Sequence, residues 1–213
     1  MGCQLRSHPN TYLFPFLTVA LLISAACSDA PKEEAKVKEP EKPSAPITGR
    51  QGFQMTYPSA RGWEADAMPI RVRSMDLEAV KGSDGKAPFW EVTYVSPSRN
   101  RIRAFSWSAT DEGSLHKGVY GPPDDSWGGP SGQERPFSST LIETDTPAAL
   151  KTAMEASDAY LTKPGRKPAV SYLLQYTPRY ANPVWIVLWG NSVGSAEHTV
   201  TVDASTGKLL AHD

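Results

Sequence analysis

The sequence predicts an α+β protein of two tandem units, each a helix packed on an antiparallel sheet. Three observations predict it. The segment Pro88-Phe-Trp-Glu-Val-Thr-Tyr94 returns as Pro183-Val-Trp-Ile-Val-Leu-Trp189 at an offset of 95 residues, and the match runs without a gap to Ala109/Ala204. Trp90 meets Trp185, Val92 meets Val187, Tyr94 meets Trp189, Phe105 meets Val200 and Trp107 meets Val202, so both copies alternate with period two in the same register. A helix-like stretch precedes each copy, and 39% hydrophobic residues with 6 Trp, 8 Tyr and 6 Phe can supply a core for both.

The 213-residue chain begins with an address. A polar start carrying Arg6 and His8 leads into an uncharged run, residues 11–26, broken by Pro15. As a helix that run would rise only about 24 Å, short of a hydrocarbon core of about 30 Å. Residues 1–26 therefore read as a secretory signal ending in small residues. Ser24-Ala25-Ala26-Cys27 resembles the lipobox of bacterial lipoproteins, with Ser24 where that family usually carries leucine. The resemblance implies cleavage before Cys27 and lipidation of its side chain. Because Ser28 rather than an aspartate follows, it also implies the periplasmic face of the outer membrane. Two alternatives stay open: cleavage at the same small-residue site without lipidation, and retention of the apolar run as an anchor.

Residues 27–47 read as the lipidated cysteine and a disordered tether. Within 28–47, five acids nearly balance four lysines, four prolines break any helix, and Val37 and Ile47 are the only large apolar residues. The first unit is expected over 48–120. Its helix-like stretch, 48–67, is interrupted by Pro58, which predicts two short pieces, the second around Ala60–Ala67. Strands follow at Ile70–Met75, from Pro88, and at Arg103–Ser108; a turn over Ala109–Gly113 leads to a further strand from Leu115. A Gly/Pro-rich connecting loop spans 121–138. The second unit, 139–213, has a helix over 147–162 with Leu150, Met154 and Leu161 on one stripe, started by Pro147 and stopped by Pro164-Gly165. Its strands are Val170–Tyr176, the Trp185 strand, His198–Asp203 and Lys208–Ala211, with Gly207 suited to a positive φ. The Trp185 strand is apolar on both faces, through Val184, Ile186 and Leu188, and is expected to be central and covered on two sides.

The C-terminal half resembles a PepSY-type domain in Pro183-Val-Trp185, Val200-Thr-Val202, Asp203-Ala-Ser-Thr-Gly207 and Leu209-Leu210. The first copy matches less well, with Ser108-Ala-Thr-Asp-Glu-Gly113 in place of the turn motif. The resemblance implies a cystatin-like α+β module of the bacterial envelope, of a kind proposed to bind or restrain envelope enzymes. It carries no catalytic residue.

The residues themselves point away from an enzyme. The two cysteines, Cys3 and Cys27, both precede the folded part, which leaves no disulfide framework and no cysteine zinc site. His116, His198 and His212 form no HExxH or HxH pattern, so no metal and no cofactor is expected. His198 reads as a polar strand end at the edge of the core. Gly190-Asn-Ser192-Val-Gly194, with Asp203 and His212 after it, is a literal GxSxG string. It joins two strands, however, whereas a nucleophile elbow joins a strand to a helix, so it reads as a hairpin turn.

The unusual stretch is Gly118–Phe137, with five glycines and four prolines. It reads either as a connector or as a binding loop presenting Tyr120 and Trp127 beside Asp124 and Asp125. The aspartate pair could hold calcium, although its spacing is not that of an EF-hand. Arg71 and Arg73 alternate with Ile70 and Val72 and point outward, either as a solvated face paired with acids such as Glu91 or as a contact for anionic headgroups or polyanionic polymer. A net charge of -1 excludes a nucleic-acid binder that relies on bulk positive charge. The expected function is a lipid-anchored envelope binding module without catalytic activity, attached to the membrane through its N-terminal lipid and engaging an envelope partner protein. An envelope hydrolase or its inhibitor subunit is the alternative, and a purely structural lipoprotein is a third.

Overall fold

A computed structural model of the chain describes residues 42–132, 134–164, 169–190 and 192–213. The signal-like segment, Cys27 and the tether as far as Glu41 lie outside them, as do Gly165 of the expected helix stop and Asn191 of the GxSxG string. No helix among the described residues is long and apolar enough to cross a membrane.

The first unit opens with β1 (Ile47–Thr48) and α1 (Gly49–Trp63). It continues with β2 (Met68–Met75), β3 (Lys86–Ala87), β4 (Phe89–Ser96), β5 (Arg101–Ser108) and β6 (Gly118–Tyr120). A two-residue strand, β7 (Asp125–Ser126), lies in the connecting loop. The second unit contains α2 (Thr146–Ala156), α3 (Asp158–Leu161), β8 (Val170–Gln175), β9 (Val184–Trp189), β10 (His198–Asp203) and β11 (Leu209–His212). All strands but β1 and β3 join one antiparallel sheet in the order β11-β10-β9-β8-β2-β4-β5-β6, with β7 added against β5. The two units therefore meet strand to strand, where β2 pairs with β8 through Arg71↔Gln175, Val72↔Leu174 and Arg73↔Leu173.

Equivalent residues make equivalent bonds in the two units. The indole N–H of Trp90 donates to the Ile47 carbonyl at 2.9 Å, and that of Trp185 donates to the Thr144 carbonyl at 2.8 Å. Each acceptor immediately precedes the N-cap of its unit's helix, Thr48 or Asp145. The two tryptophans touch edge to face, with ring centroids 6.4 Å apart. The amino ends of α1 and α2 also meet, sharing one cap. The Asp145 carboxylate accepts from the backbone N–H of both Arg50, at 2.9 Å, and Thr146, at 2.7 Å. A carboxylate there satisfies orphan donors of two helices and complements both dipoles. The resulting core is continuous through both units and holds Trp90, Val92, Tyr94, Phe105, Trp185, Val187, Val200 and Val202.

Four expectations change. The helix of the first unit is one unbroken α1 with Pro58 inside it. Pro58 and Gln54 both lie on the exposed side, where water can satisfy the freed carbonyl of residue 54. A capping box at Thr48/Gln51 and the packing of Phe53, Thr56 and Ala60 hold the rest. On α2 the buried residues are Thr146, Ala149 and Ala153, while Met154 is 50% exposed. The tryptophans beneath are large, so the helix turns its small side chains inward. In the first unit the turn over Ala109–Gly113 forms, with Gly113 at φ 59°. Leu115, however, bridges back to Glu112, and the strand begins only at Gly118. Finally, the helix expected over 147–162 is split at Ser157 into α2 and α3, whereas β9 is central as expected, with Val184 and Leu188 buried on the face opposite the helices.

The hairpin between β4 and β5 is pinned by Asp66. Its carboxylate accepts from the Ser96 hydroxyl at 2.6 Å and the Ser98 backbone N–H at 2.8 Å. The Ser96 bond, followed by that from Ser98, holds its carboxyl below the ordinary value of 3.8. The ionised carboxylate thus favours the folded state above that value, and the contribution fades as pH falls through the lower folded-state value. In urea unfolding, Asp66→Asn is expected to lower the midpoint at about pH 6 and to match the parent near about pH 2. An equal difference at both would mean that the charge plays no part.

Candidate functional site

The helix-free face of the sheet carries the candidate site. On β2, β8 and β9 the residues that alternate away from the core form three cross-strand rows. Arg71, Gln175 and Val184 make the first, and Arg73, Leu173 and Ile186 the second. Ser171 and Leu188 make the third, with Met75 and Phe89 paired alongside on β2 and β4. Together with Ser192 and Val193 of the β9–β10 turn, these side chains, the fully buried Val184 excepted, line a groove of about 490 Å³. That volume lies within the roughly 300–1,000 Å³ usual for small-molecule sites.

Charge in the groove is uneven. Arg73 pairs with Glu91 on β4 through two bonds, at 2.7 and 3.1 Å, as the alternation on β2 suggests. Arg71, one row along, makes no hydrogen bond or ion pair among the described residues, and its Nε is buried without a partner. The side-chain amide of Gln175 opposite it, on a residue only 6% exposed, likewise has no partner among the described residues. The floor beyond is apolar: Leu188 and Phe89 are buried, Leu173 and Ile186 half-buried, and Val193 at the rim is 56% exposed.

Of the two readings of the connecting loop, presentation of Trp127 to a partner does not hold. Trp127 is not presented to solvent: it is 7% exposed and packs on Ile70, Val95 and Ile102, closing the neighbouring part of the same sheet face. A bulge in β2 between Pro69 and Arg71 sets Ile70 in that cluster. Asp124 ties the loop down, accepting from the Trp63 indole at 3.2 Å and pairing with Arg101 at 2.6 Å. Partial desolvation would raise its carboxyl, but the bonds from Trp63 and Arg101 together hold it below the ordinary value. Its oxygens are thus already engaged, and no group of three or more His, Cys, Asp or Glu suited to a metal occurs among the described residues. Asp125 is exposed and accepts from the Ser126 backbone N–H. Tyr120 is 42% exposed and meets His116 at a tilt, with centroids 4.6 Å apart. The structure brings Asp124 and Trp127 together as a strap and leaves Tyr120 and Asp125 on the surface.

One further constellation has catalytic residue types. His198, the first residue of β10, is 6% exposed and sandwiched between Tyr160 and Trp189, a buried strand end whose outer side faces the exposed Asp213. Its Nε2 lies 2.8 Å from Ser157 Oγ and its Nδ1 3.4 Å from the Asp213 carboxylate. The Ser157 hydroxyl, however, donates to the Ala153 carbonyl at 2.6 Å, and the residue is 1% exposed. A hydroxyl whose proton is held by a helix carbonyl, and which substrate cannot reach, is not poised as a nucleophile. Ser192 lies in the β9–β10 turn and is exposed, bonded to Ser195, whereas Asp203 closes the far end of β10. The GxSxG string therefore assembles no triad.

No family profile matches the chain, and no curated protein matches it. Among solved structures, a proposed lipoprotein from Clostridium difficile 630 is similar, with a TM-score of 0.50 and 14% identity over 81% of this chain and 95% of that one. At that identity the likeness carries the fold alone.

Proposed function

We propose that the protein is an envelope lipoprotein, acylated at Cys27 and held by its tether at the periplasmic face of the outer membrane, whose folded part is a non-catalytic binding module. The single observation that carries the binding reading is the groove over β2, β8 and β9: half-buried apolar side chains and unpaired polar groups facing one cavity on a sheet face that no helix covers. The lipobox-like Cys27, the PepSY-like end of the second unit and the fold shared with a proposed lipoprotein support the envelope setting. An envelope hydrolase is disfavoured by the closed surroundings of Ser157.

Two measurements in cells test this. Cys27→Ser is expected to abolish incorporation of labelled palmitate and to release the protein from the membrane fraction; persistent label would refute the anchor. A photo-crosslinking residue at Val193, on the rim of the groove, is expected to capture a defined species. The same residue at Met154, on the helix side and 50% exposed, is expected to capture none. Equal capture at both positions, or none at either, would refute the groove as the binding site.

A further inference from the structure

We propose that the groove takes a single-chain amphiphile bearing one negative charge, a long-chain carboxylate, with its head on Arg71 and Gln175 and its tail along Leu173, Ile186 and Leu188. This inference rests on the reading of the groove as the binding site and names the chemistry of its ligand.

The charge follows from the neighbours. Glu91 neutralises Arg73 in a two-bonded pair, so among the described residues the groove keeps one uncompensated cation, Arg71. One fork-shaped guanidinium in a partly desolvated setting suits one carboxylate, which it can grip with two parallel bonds. Gln175 stands directly opposite Arg71 in the β2–β8 register, and its amide N–H groups can donate to the same head. Filling both would satisfy the two polar groups at this end that have no partner among the described residues.

The tail follows from the rows. From Gln175 to Ser171 the strand advances four residues, about 13 Å. Over that distance the β8 and β9 side chains run from Gln175 through Leu173 and Ile186 to Leu188, with Ser171 beside Leu188, the Glu91-paired Arg73 and Met75 on the β2 flank, and Val193 at the far rim. The Arg71/Gln175 pair thus stands at one end, and the apolar side chains of β8 and β9 continue away from it beside the neutralised Arg73, a layout that an amphiphile matches and a uniformly polar ligand does not. The central strands already spend their backbone bonds on one another, so this face offers no unpaired edge to an extended peptide.

The test uses the mature acylated protein in phosphatidylcholine nanodiscs and a fluorescent fatty-acid probe excited by energy transfer from tryptophan. Hexadecenoate is expected to displace the probe saturably, and hexadecenol, its neutral-headed counterpart, at least about tenfold more weakly. Lengthening the acid from 12 to 14 carbons should tighten displacement by about tenfold. Arg71→Gln should erase the difference between acid and alcohol, whereas Lys151→Gln, which removes a cation from the helix side, should leave it intact. Equal displacement by acid and alcohol, or an unchanged acid preference in Arg71→Gln, would overturn the proposal. The acid–alcohol comparison needs no variant, so misfolding of Arg71→Gln cannot rescue the idea. Absent displacement with Val193 crosslinking retained would sink the amphiphile and spare the binding module; loss of both would sink both.

Discussion

Gly52→Ala is expected to destabilise the protein by about 2–3 kcal/mol, although alanine is the better helix former by up to about 1 kcal/mol. Gly52 lies on the buried side of α1, directly over the indole of Trp90. A Cβ there would press on Trp90 Cγ, standing 2.7 Å from its Cβ and 2.8 Å from its Cδ1. Trp90 cannot move aside, because it is fully buried, its N–H is bonded to Ile47 and its ring abuts Trp185. The helix must therefore lift from the sheet, loosening Phe53 and the Thr56–Tyr94 hydroxyl contact of 3.0 Å. Gly62 of the same helix is the internal control, since a Cβ there meets nothing within 4 Å. Gly62→Ala should stabilise by about 0.5–1 kcal/mol. Urea unfolding of both variants reads the two signs, and a shared sign would show that α1 does not rest on Trp90 as described.

Trp185→Ala should cost about 3–5 kcal/mol, a large share of the roughly 5–15 kcal/mol that such a domain possesses. The side chain is fully buried at the junction of the two units and its indole holds the segment that leads into α2. Trp185→Phe keeps most of the packing but strands the Thr144 carbonyl, at a cost of about 1–3 kcal/mol. A double-mutant cycle with Trp90→Phe should reveal coupling of about 0.5–1.5 kcal/mol from the edge-to-face contact. If Trp185→Ala lost less than about 1 kcal/mol, the shared core would not be what joins the units. Independent, additive losses at the two positions would mean the same for the ring contact.

Much of this fold was legible because period-two alternation and the Trp90/Trp185 repeat are local signals. The strands of the second unit fall within a residue or so of their expected places, and α1 and α2 lie where helices were expected. What escaped notice depends on partners distant in sequence. Pro58 reads as a break until the capping box and the sheet beneath α1 are counted. Met154 reads as core until the size of the tryptophans turns Ala149 and Ala153 inward. Trp127 reads as bait in a proline-rich loop until the bulge at Ile70 opens a socket for it. The groove had one sequence trace: the two-sided apolarity of β9, whose Ile186 and Leu188 line it. Gln175 gave no trace, because nothing local distinguishes a glutamine that faces Arg71 from one that faces water.

The register of β2 on β8 has an evolutionary corollary. By their pairing to Glu91 and Ile186, which the repeat equates, Arg73 and Leu173 are the same position in the two copies, and they stand face to face across the seam. An ancestral homodimer of the first copy would have set two identical residues there, arginine against arginine, and like charges directly opposite repel. Within one chain the two sides of the seam are free to differ, and Arg73 faces Leu173 instead, an asymmetry that no pair of identical subunits could place across its own axis.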